Sequence, residues 1–574
     1  MTRFMPIAGR FALVAALLLS IVGVSLVTGP ASQAQASVPA SARLVPSDAV
    51  LYLSIDTHFL SPQWVQTTAL AQRVNPDADA RGIAQGALES AFSDEVDLDI
   101  APFVGGEIAL AYLSSASLFG DTSTSEIVDD PDAAAQGLIG GVAIVAIPAS
   151  IRLASAELDS ALADFAESRG TTVEEAIYDG VTIQFVGPDL ATETPGVAVA
   201  TIDDALVVAF SPSLLEPIID LAGGDGDSIT TIGGFDESMA SMPDDRIIVG
   251  LLTGPSLVAN GGQVGGVGPA IEAFVPGGAN GVTAFAVQSE EDGIRVDTRT
   301  VSSDGEPIRT FGNNTQPNLL GQLPAGTQVA VSGNDLAQTR LVEGALAIVF
   351  ELVFGALQGM FTPLDGSATP EPLPTTFDET VNAAYGLASA FLGIDLQSSL
   401  VDLVDGEFLF ALWGTGGPAS SPSVGLLSET SDPATVDSTI SSLSFVAGFV
   451  FGAQGEVGTN GMTEFAAGGG AIEMGVSDDM LVIGYGGGGT ALLDEPRNAL
   501  VDTSLYQTTT APLPDDHSLL IYVNVQSLQA GAGANAPGTF GIGSARNKGP
   551  AFAFVMFNDQ DEMGGQGYLY IPEP

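Results

Sequence analysis

The residues most suggestive of chemistry are the glycines between Asp479 and Pro496, where Gly484, Gly486 and Gly489 form the pattern G-x-G-x-x-G. In dinucleotide-binding proteins such glycines let backbone N–H groups approach a pyrophosphate at a helix N-terminus, within a parallel β-α-β unit. An earlier stretch, Ala209 to Ile218, shows the same strand-to-helix pattern without a glycine. We therefore predict a structural turn at residues 484–489 and no bound cofactor.

Histidine and cysteine chemistry is limited by composition. The chain has no cysteine, which excludes disulfides, thiolate metal sites and cysteine nucleophiles. Its two histidines, His58 and His517, are too few for a conventional zinc site, and no G-x-S-x-G turn presents a serine nucleophile. We interpret both histidines as ordinary surface residues and predict no catalytic residue and no metal ligand.

Carboxylates are plentiful, so calcium binding and glycoside hydrolysis need separate consideration. Acids alternate with other residues in 75–80, 94–99 and 223–228, but none of these stretches completes an EF-hand ligand series. We predict acidic loops or helix caps there, with specific calcium binding as the alternative. Glycoside hydrolysis needs aromatic subsites as well as paired carboxylates, and the chain has only two tryptophans, Trp64 and Trp413.

Paired aspartates recur immediately before apolar runs. Such pairs are typical of turns, because the aspartate side chain bonds to nearby backbone and tolerates left-handed conformations. The pairs are 203/204, 244/245, 478/479 and 515/516.

The charge balance and the first residues indicate where the protein acts. With 69 acidic and 15 basic residues the net charge is −54, which disfavours nucleic acid and anionic lipid. Arg3 and Arg10 precede an apolar run, Phe11 to Val27, and Ala34 and Ala36 have the A-x-A spacing. This pattern predicts a signal peptide over 1–36, hence a secreted or cell-envelope protein, with an uncleaved N-terminal anchor as the alternative.

The second half of the sequence repeats the first in order. "VPSDAVLYLSID" corresponds to "LPAGTQVAVSGND", "FVGGEIALAYL" to "LVDGEFLFALW", and "MPDDRIIVGLL" to "LPDDHSLLIYV". The alignment places Gly106-Glu107 on Gly406-Glu407, and His517 at the position of Arg246. It predicts tandem copies at 44–300 and 323–571, joined by a linker at 301–322.

Short β-prone runs alternate with helical patterns within each copy. "AVLYLSI", "EIALAYL", "GVAIVAI", "ALVVAF" and "RIIVGLL" are predicted strands, and residues 154–170 are a predicted amphipathic helix with Leu158, Leu162 and Phe165 on one face. Residues 281–301 read as a β-hairpin. The predicted fold class is α+β: two tandem repeats, each a largely antiparallel sheet with helices packed on one side.

One segment has no counterpart in the first copy. Residues 341–361 are apolar on every helical face except at Glu343 and Glu351, and a Pro-rich loop follows at 362–376. Such a helix must be buried. We expect it to lie between the copies, with a cavity-lining helix or membrane contact as alternatives.

The acidic, export-directed chain with its "VPSDAVLYL" opening resembles a family of secreted bacterial proteins known as domain of unknown function 3352. The resemblance covers nearly all of the chain after residue 36, and it implies the architecture but no activity. We predict a non-catalytic interaction or binding module, not an enzyme, whose partner is an envelope protein or an apolar ligand. The alternatives are a carrier of lipid-like molecules and an unrecognised hydrolase.

Overall fold

The computed structural model describes residues 38–74, 101–113, 141–187, 196–256, 280–305, 312–336, 395–414, 423–451, 455–458, 461–467, 470–494, 496–532, 549–559 and 562–573, with a few isolated positions between these ranges. The predicted signal 1–36, the apolar segment 341–361 and the Pro-rich loop 362–376 lie outside the described residues. Among those that are described, no helix is both long and apolar enough to cross a membrane.

In the part of the chain that the structure describes, 20 strands form one sheet. In the first half they are β1 (Leu51–Asp56), β2 (Glu107–Tyr112), β3 (Val142–Ile147), β4 (Glu174–Tyr178), β5 (Val181–Val186), β6 (Val197–Ile202), β7 (Ala205–Ala209), β8 (Ile248–Thr253), β9 (Gly281–Glu290) and β10 (Gly293–Ser302). In the second half they are β11 (Thr327–Asn334), β12 (Glu407–Trp413), β13 (Ser423–Glu429), β14 (Glu456–Val457), β15 (Thr463–Ala467), β16 (Gly470–Ser477), β17 (Met480–Tyr485), β18 (Leu519–Asn524), β19 (Ala551–Asp559) and β20 (Glu562–Tyr570).

The described α-helices are α1 (Pro62–Val74), α2 (Ile151–Ser168), α3 (Pro212–Gly223), α4 (Phe235–Ala240), α5 (Leu396–Ser399), α6 (Pro433–Phe451), α7 (Gly488–Leu493), α8 (Ser504–Thr510) and α9 (Val525–Ala532). Short 3₁₀ helices at Ala40–Leu44 and Leu319–Gln322 lie shortly before β1 and β11, respectively. The predicted helix over 154–170 is confirmed within α2, and its Leu158, Leu162 and Phe165 are buried.

The sheet is antiparallel throughout, and its strands follow one linear order. From one end to the other this order is β4-β5-β6-β7-β3-β2-β1-β8-β9-β10-β20-β19-β18-β11-β12-β13-β17-β16-β15-β14. Adding ten to each strand number of the first half gives the pairs of the second half. The β10–β20 pair joins the two halves.

The prediction that helices pack on one side of the sheet is wrong for both halves. In the second half, Val482 of β17 packs in a core with α7 and α8, and its neighbour Leu481 packs in another core with α6. The first half shows the same arrangement. Val207 of β7 packs in a core with α3 and α4, whereas its neighbour Val208 packs in another core with α2. Successive strand residues point to opposite faces, so both faces of this sheet are covered. Runs such as "ALVVA" therefore contain no polar alternation, and all five residues of β7 are buried.

The predicted local elements are otherwise confirmed. The five β-prone runs coincide with β1, β2, β3, β7 and β8, and β9 and β10 form the expected hairpin. Two Asp pairs are turns, at 203–204 between β6 and β7 and at 478–479 between β16 and β17. Asp203, Asp478 and Asp479 have positive φ angles of 52°, 47° and 63°, a conformation that aspartate tolerates better than most residues.

Candidate functional site

A cleft of about 320 Å³ opens where β1 ends and where β2 and β8 begin. These ends coincide because the strands are antiparallel: Asp56 lies opposite Glu107 on β2, and Ile55 lies opposite Ile248 on β8. The apolar part of the wall comes from Pro39, Ile147, Ile247 and Val249, and the polar part from Ser54, Asp56, His58, Glu107, Asp244 and Arg246.

The half-buried Glu107 carboxylate is the centre of a hydrogen-bond network. Its Oε2 accepts the backbone N–H of Ala40 at 2.9 Å, and its Oε1 accepts the backbone N–H of Ser41 at 3.3 Å. Three hydroxyls also donate to Oε1, from Ser41, from Tyr52 at 3.3 Å and from Ser54 at 2.9 Å. Glu107 thus ties the first turn of the 3₁₀ helix at Ala40–Leu44 to the sheet, as a capping carboxylate does.

Burial and charge fix the protonation states around Glu107. Burial raises the pKa of the Tyr52 phenol far above its ordinary value, and the nearby Glu107 charge raises it further, so Tyr52 remains a donor. Burial lowers the pKa of Arg246, while Asp244, Tyr52 and Glu107 act in the opposite direction. The Arg246 guanidinium donates to the Pro243 carbonyl at 2.8 Å.

The outer rim of the cleft is the Asp56–His58 pair. His58 Nδ1 lies 2.5 Å from Asp56 Oδ1, which also accepts the backbone N–H of His58 at 2.9 Å. The His58 side chain is 63% exposed and the Asp56 side chain 40%, so water screens the attraction between them. With Asp56, Asp244 and Glu107 against Arg246, carboxylates outnumber permanent cations in the lining.

The second half has the same framework at the matching strand ends. Asn334 lies opposite Glu407 as Asp56 lies opposite Glu107. Glu407 Oε1 accepts the backbone N–H of Leu319, the first residue of the preceding 3₁₀ helix, at 2.6 Å. The glycine before each glutamate is sterically required, because a Cβ at Gly106 would overlap the Ile147 carbonyl and a Cβ at Gly406 would overlap Glu429.

The polar residues around that framework differ between the halves. Strand register places Ser332 at the position of Ser54 and Ala330 at that of Tyr52. His517 replaces Arg246, and its Nδ1 lies 3.2 Å from the Pro514 carbonyl as Arg246 contacts Pro243. Within the part of the chain that the structure describes, Ser332 Oγ and His517 Nε2 are buried without a hydrogen-bond partner.

Comparison with known proteins identifies the family. The profile of the family described as protein of unknown function (DUF3352) matches residues 11–540 as one span. The chain belongs to this DUF3352 family. No curated protein sequence matches the chain.

Two solved structures of TP0453 were found to be similar. Crystal form I covers 47% of this chain and 81% of that chain, and crystal form IV covers 45% and 78%, each at 9% identity and a TM-score of 0.22. A TM-score this low carries no argument about fold or function.

The glycine loop of this DUF3352 chain has a packing role. A Cβ at Gly484 would overlap the amide nitrogen of Gly489, and a Cβ at Gly488 would overlap the Val424 carbonyl, so α7 packs directly on β13 and β17. The buried Glu473 carboxylate accepts the Thr490 N–H at 2.7 Å in the first turn of α7, where a phosphate-binding loop would present its amides to the ligand. The strand-to-helix turn is confirmed, but glycine is required there and is not an incidental choice.

The two predicted surface histidines differ. His58 is exposed as expected. His517 is 7% exposed, and burial lowers its pKa, so its interpretation as a surface residue is wrong. A backbone bridge between His517 and Thr315 joins segments about 200 positions apart, a contact that local sequence patterns do not indicate.

The acidic stretches are only partly described. Residues 94–99 lie outside the described residues, as does much of 75–80. In 223–228 the backbone carbonyl of Asp227 accepts the Ser47 N–H at 2.8 Å, which is a loop contact. No described group of three or more His, Asp or Glu side chains is arranged to hold a metal ion.

Sequence analysis did not select Glu107, Ser54, Tyr52 or Arg246 as a site. The signal was present in two places. Gly-Glu recurs in both halves, and Arg246 aligns with His517, which marks one position where the halves differ. A single sequence cannot tell that Ser41 and Glu107, 66 positions apart, are in contact.

Proposed function

We propose that this chain is an exported, non-catalytic binding protein whose binding site is the cleft between the ends of β1, β2 and β8. Its ligand is an organic cation, meaning a primary ammonium or guanidinium group on a small molecule or on a basic side chain of a partner. Cell-envelope or extracellular location follows from the predicted signal and stays part of this proposal.

The difference between the two halves is the observation that carries the proposal. Glu107 and Glu407 both cap a 3₁₀ helix, so that part of the network serves the fold. Arg246, which lines the cleft, is replaced by His517 in the second half, which nevertheless forms the same strands. The strand framework therefore does not require an arginine at this position, and a polar group that the fold does not require is a candidate for ligand recognition.

The charge of the cleft decides the ligand class. Asp56, Asp244 and Glu107 outnumber the permanent cation Arg246 in the lining. The whole chain has a net charge of −54, which attracts cations over long distance and repels anions. A volume of about 320 Å³ suits one small organic group rather than an extended lipid.

We further infer that the two halves arose by tandem duplication. The order in which strands pair is the same in the two halves. The residue registers of these pairs match the same residues of one half to those of the other. Leu206 lies opposite Ala146 and Leu481 opposite Ser428, which places Asp204 on Asp479. The duplication gives the cleft a built-in control, because each cleft residue has a counterpart at a matching backbone position.

Binding can be tested with four probes that share one alkyl chain: butylamine, butylguanidine, butanol and butyrate. We expect saturation-transfer signals by NMR from the two cations and none from the alcohol or the acid. A lysine-containing and an arginine-containing dipeptide amide then distinguish a small-molecule source of the cation from a polypeptide source. Equal signals from butanol and butylamine would contradict the proposal.

The matched variants are Asp244→Asn and Asp515→Asn. Each removes one charge from a Pro-Asp-Asp turn. The turn of Asp244 precedes β8, and the turn of Asp515 precedes β18. We expect Asp244→Asn to weaken cation binding by about three- to tenfold, since it removes on the order of 1 kcal/mol of partly screened attraction. Asp515→Asn should leave binding unchanged, and an equal loss in both variants would indicate non-specific attraction to the acidic surface.

A further inference from the structure

Among the described residues, the sheet ends in the first half at β4, a strand paired along one edge only. β4 pairs with β5 through Glu174↔Phe185 to Tyr178↔Val181. No second partner strand is found for β4 within the described residues. At the other end of the sheet, β14 has two residues, Glu456 and Val457. Short edge strands are one of the ways in which proteins avoid edge pairing, so the five-residue β4 is the more available edge.

The turn after β4 shows which of its backbone groups face outward. Asp179 and Gly180 have φ angles of 46° and 82° and form a two-residue hairpin loop. In such a loop the flanking residues, Tyr178 and Val181, exchange hydrogen bonds. Alternation along an antiparallel pair then directs the N–H and C=O groups of Glu175 and Ile177 away from β5, to the free edge.

The side chains of the same two residues are also exposed. Ile177 is 78% exposed, and Glu174 and Glu175 are exposed. An exposed β-branched residue beside outward-facing backbone groups is what an added strand would cover. Val457 of β14 is 76% exposed, which makes it a matched reference position at the opposite end of the sheet.

Charge decides which strand can be added. Besides Glu174 and Glu175, the surroundings of Tyr178 include Asp220, Glu216 and Asp179. The hydrogen bond to Asp220 raises the pKa of the Tyr178 phenol, and the charges of the three acids raise it further. A second copy would bring the same acids against themselves, and like charges opposite each other destabilise a strand pair. A partner segment with basic residues would be attracted instead.

We propose that β4 binds an extended, basic segment of a partner protein as an additional antiparallel strand. An apolar residue of that segment lies opposite Ile177, and a lysine or arginine lies opposite Glu175. Backbone hydrogen bonds to Glu175 and Ile177 provide affinity, and the two side-chain positions provide selectivity. This surface is separate from the cleft, so the two proposals fail or succeed independently.

The probe is the acetylated and amidated peptide Thr-Val-Thr-Lys-Lys, which places Val opposite Ile177 and the lysines opposite Glu175 and Glu174. Fluorescence anisotropy of the labelled peptide with the full-length protein should show saturable binding. The same peptide with N-methyl groups on the alternate amides that face β4 keeps its charge, but these amides can no longer donate hydrogen bonds to β4. It should bind at least tenfold more weakly. Equal binding of the two peptides, or no binding, would overturn the proposal.

Ile177→Pro removes one outward N–H without touching a bond to β5, as proline is tolerated on a free edge. Ile177→Pro should weaken peptide binding at least tenfold, whereas Val457→Pro should not change it. Glu175→Lys provides a second test, because it should weaken the binding of Thr-Val-Thr-Lys-Lys and strengthen the binding of Thr-Val-Thr-Glu-Glu. Wild-type behaviour of both β4 variants would overturn the proposal, and so would sedimentation showing a dimer that Ile177→Pro dissociates.

Discussion

Glu107 and Glu407 occupy matching positions but accept different numbers of hydrogen bonds. Glu107 accepts two backbone N–H groups and three hydroxyls, whereas Glu407 is 5% exposed and accepts backbone N–H groups from Leu319 and Asn318. Burial raises the pKa of Glu407, and the neighbouring Glu429 raises it further. Burial therefore disfavours the charged form of Glu407.

Substitution by glutamine should separate these two environments. Glu107→Gln turns one acceptor into a donor facing Ala40 or Ser41, and we expect it to lower the free energy of unfolding by about 2 kcal/mol, within the range for hydrogen bonds to a charged group. Glu407→Gln should cost less than about 1 kcal/mol, because a buried carboxylate gains from losing its charge. Urea unfolding at pH 7 measures both, and equal costs would refute this account of the network.

At the scale of elements, the loop Gly484–Gly489 illustrates close backbone packing. The equivalent of Gly484 in the first half is Ala209, where α3 begins later, at Pro212, with Ser211 as its N-cap. In the second half α7 begins at Gly488 and lies directly on β13. The glycines thus allow an earlier helix start and a closer helix, which explains their concentration in one half.

Gly484→Ala should lower the free energy of unfolding by roughly 1–3 kcal/mol, since the new methyl group would overlap the rigid backbone at Gly489. Gly326→Ala is a suitable control, because no atom lies within 4 Å of a Cβ built there. Thermal melts of the two variants give the comparison. A Gly484→Ala protein as stable as Gly326→Ala would mean that α7 can move away at no cost.

How far the elements could be predicted depends on which contacts define them. Strands β1, β2, β3, β7 and β8, helix α2 and the β9–β10 hairpin follow from local apolar patterns. The cleft depends instead on contacts such as that of Tyr52 with Glu107, which link distant segments and leave no periodic trace. The bridge between His517 and Thr315 in the second half is a contact of the same kind. Coverage of both sheet faces left a local signal that our prediction did not use, because all-apolar runs such as β7 lack the polar alternation of a sheet with one solvent-facing side.

At the scale of the whole molecule, the seam between the halves contains three of the 15 basic residues. Arg299 of β10 pairs with Glu562 of β20, Arg295 pairs with Asp297 at 3.0 Å, and Arg73 of α1 reaches Asp292 at 3.1 Å. Arg73 also donates to the Ile571 carbonyl at 2.8 Å. These contacts accompany the β10–β20 pairing, and the bonds of Arg299 to Glu562 and of Arg73 to Ile571 link the two halves directly.

The remaining charge leads to a prediction about salt. Without residues 1–36 the chain loses Arg3 and Arg10 and no acid, which leaves 13 basic and 69 acidic side chains and a net charge of −56. Salt weakens both the seam ion pairs and the repulsion among acids, since the screening length falls from about 10 Å at 0.1 M to about 3 Å at 1 M. The acids outnumber the basic residues about fivefold, so relief of repulsion outweighs the loss of a few partly exposed pairs.

We expect the melting temperature to rise between 0.02 and 1 M sodium chloride. It should rise more in Arg299→Gln, because this variant has no Arg299–Glu562 ion pair to weaken and Glu562 becomes one more unpaired acid. Equimolar sucrose controls for solvent effects unrelated to charge, and a flat or falling melting temperature would show that the acids are spaced too widely to repel. A sharp rise with micromolar calcium in constant sodium chloride would instead indicate a specific site among the acidic loops.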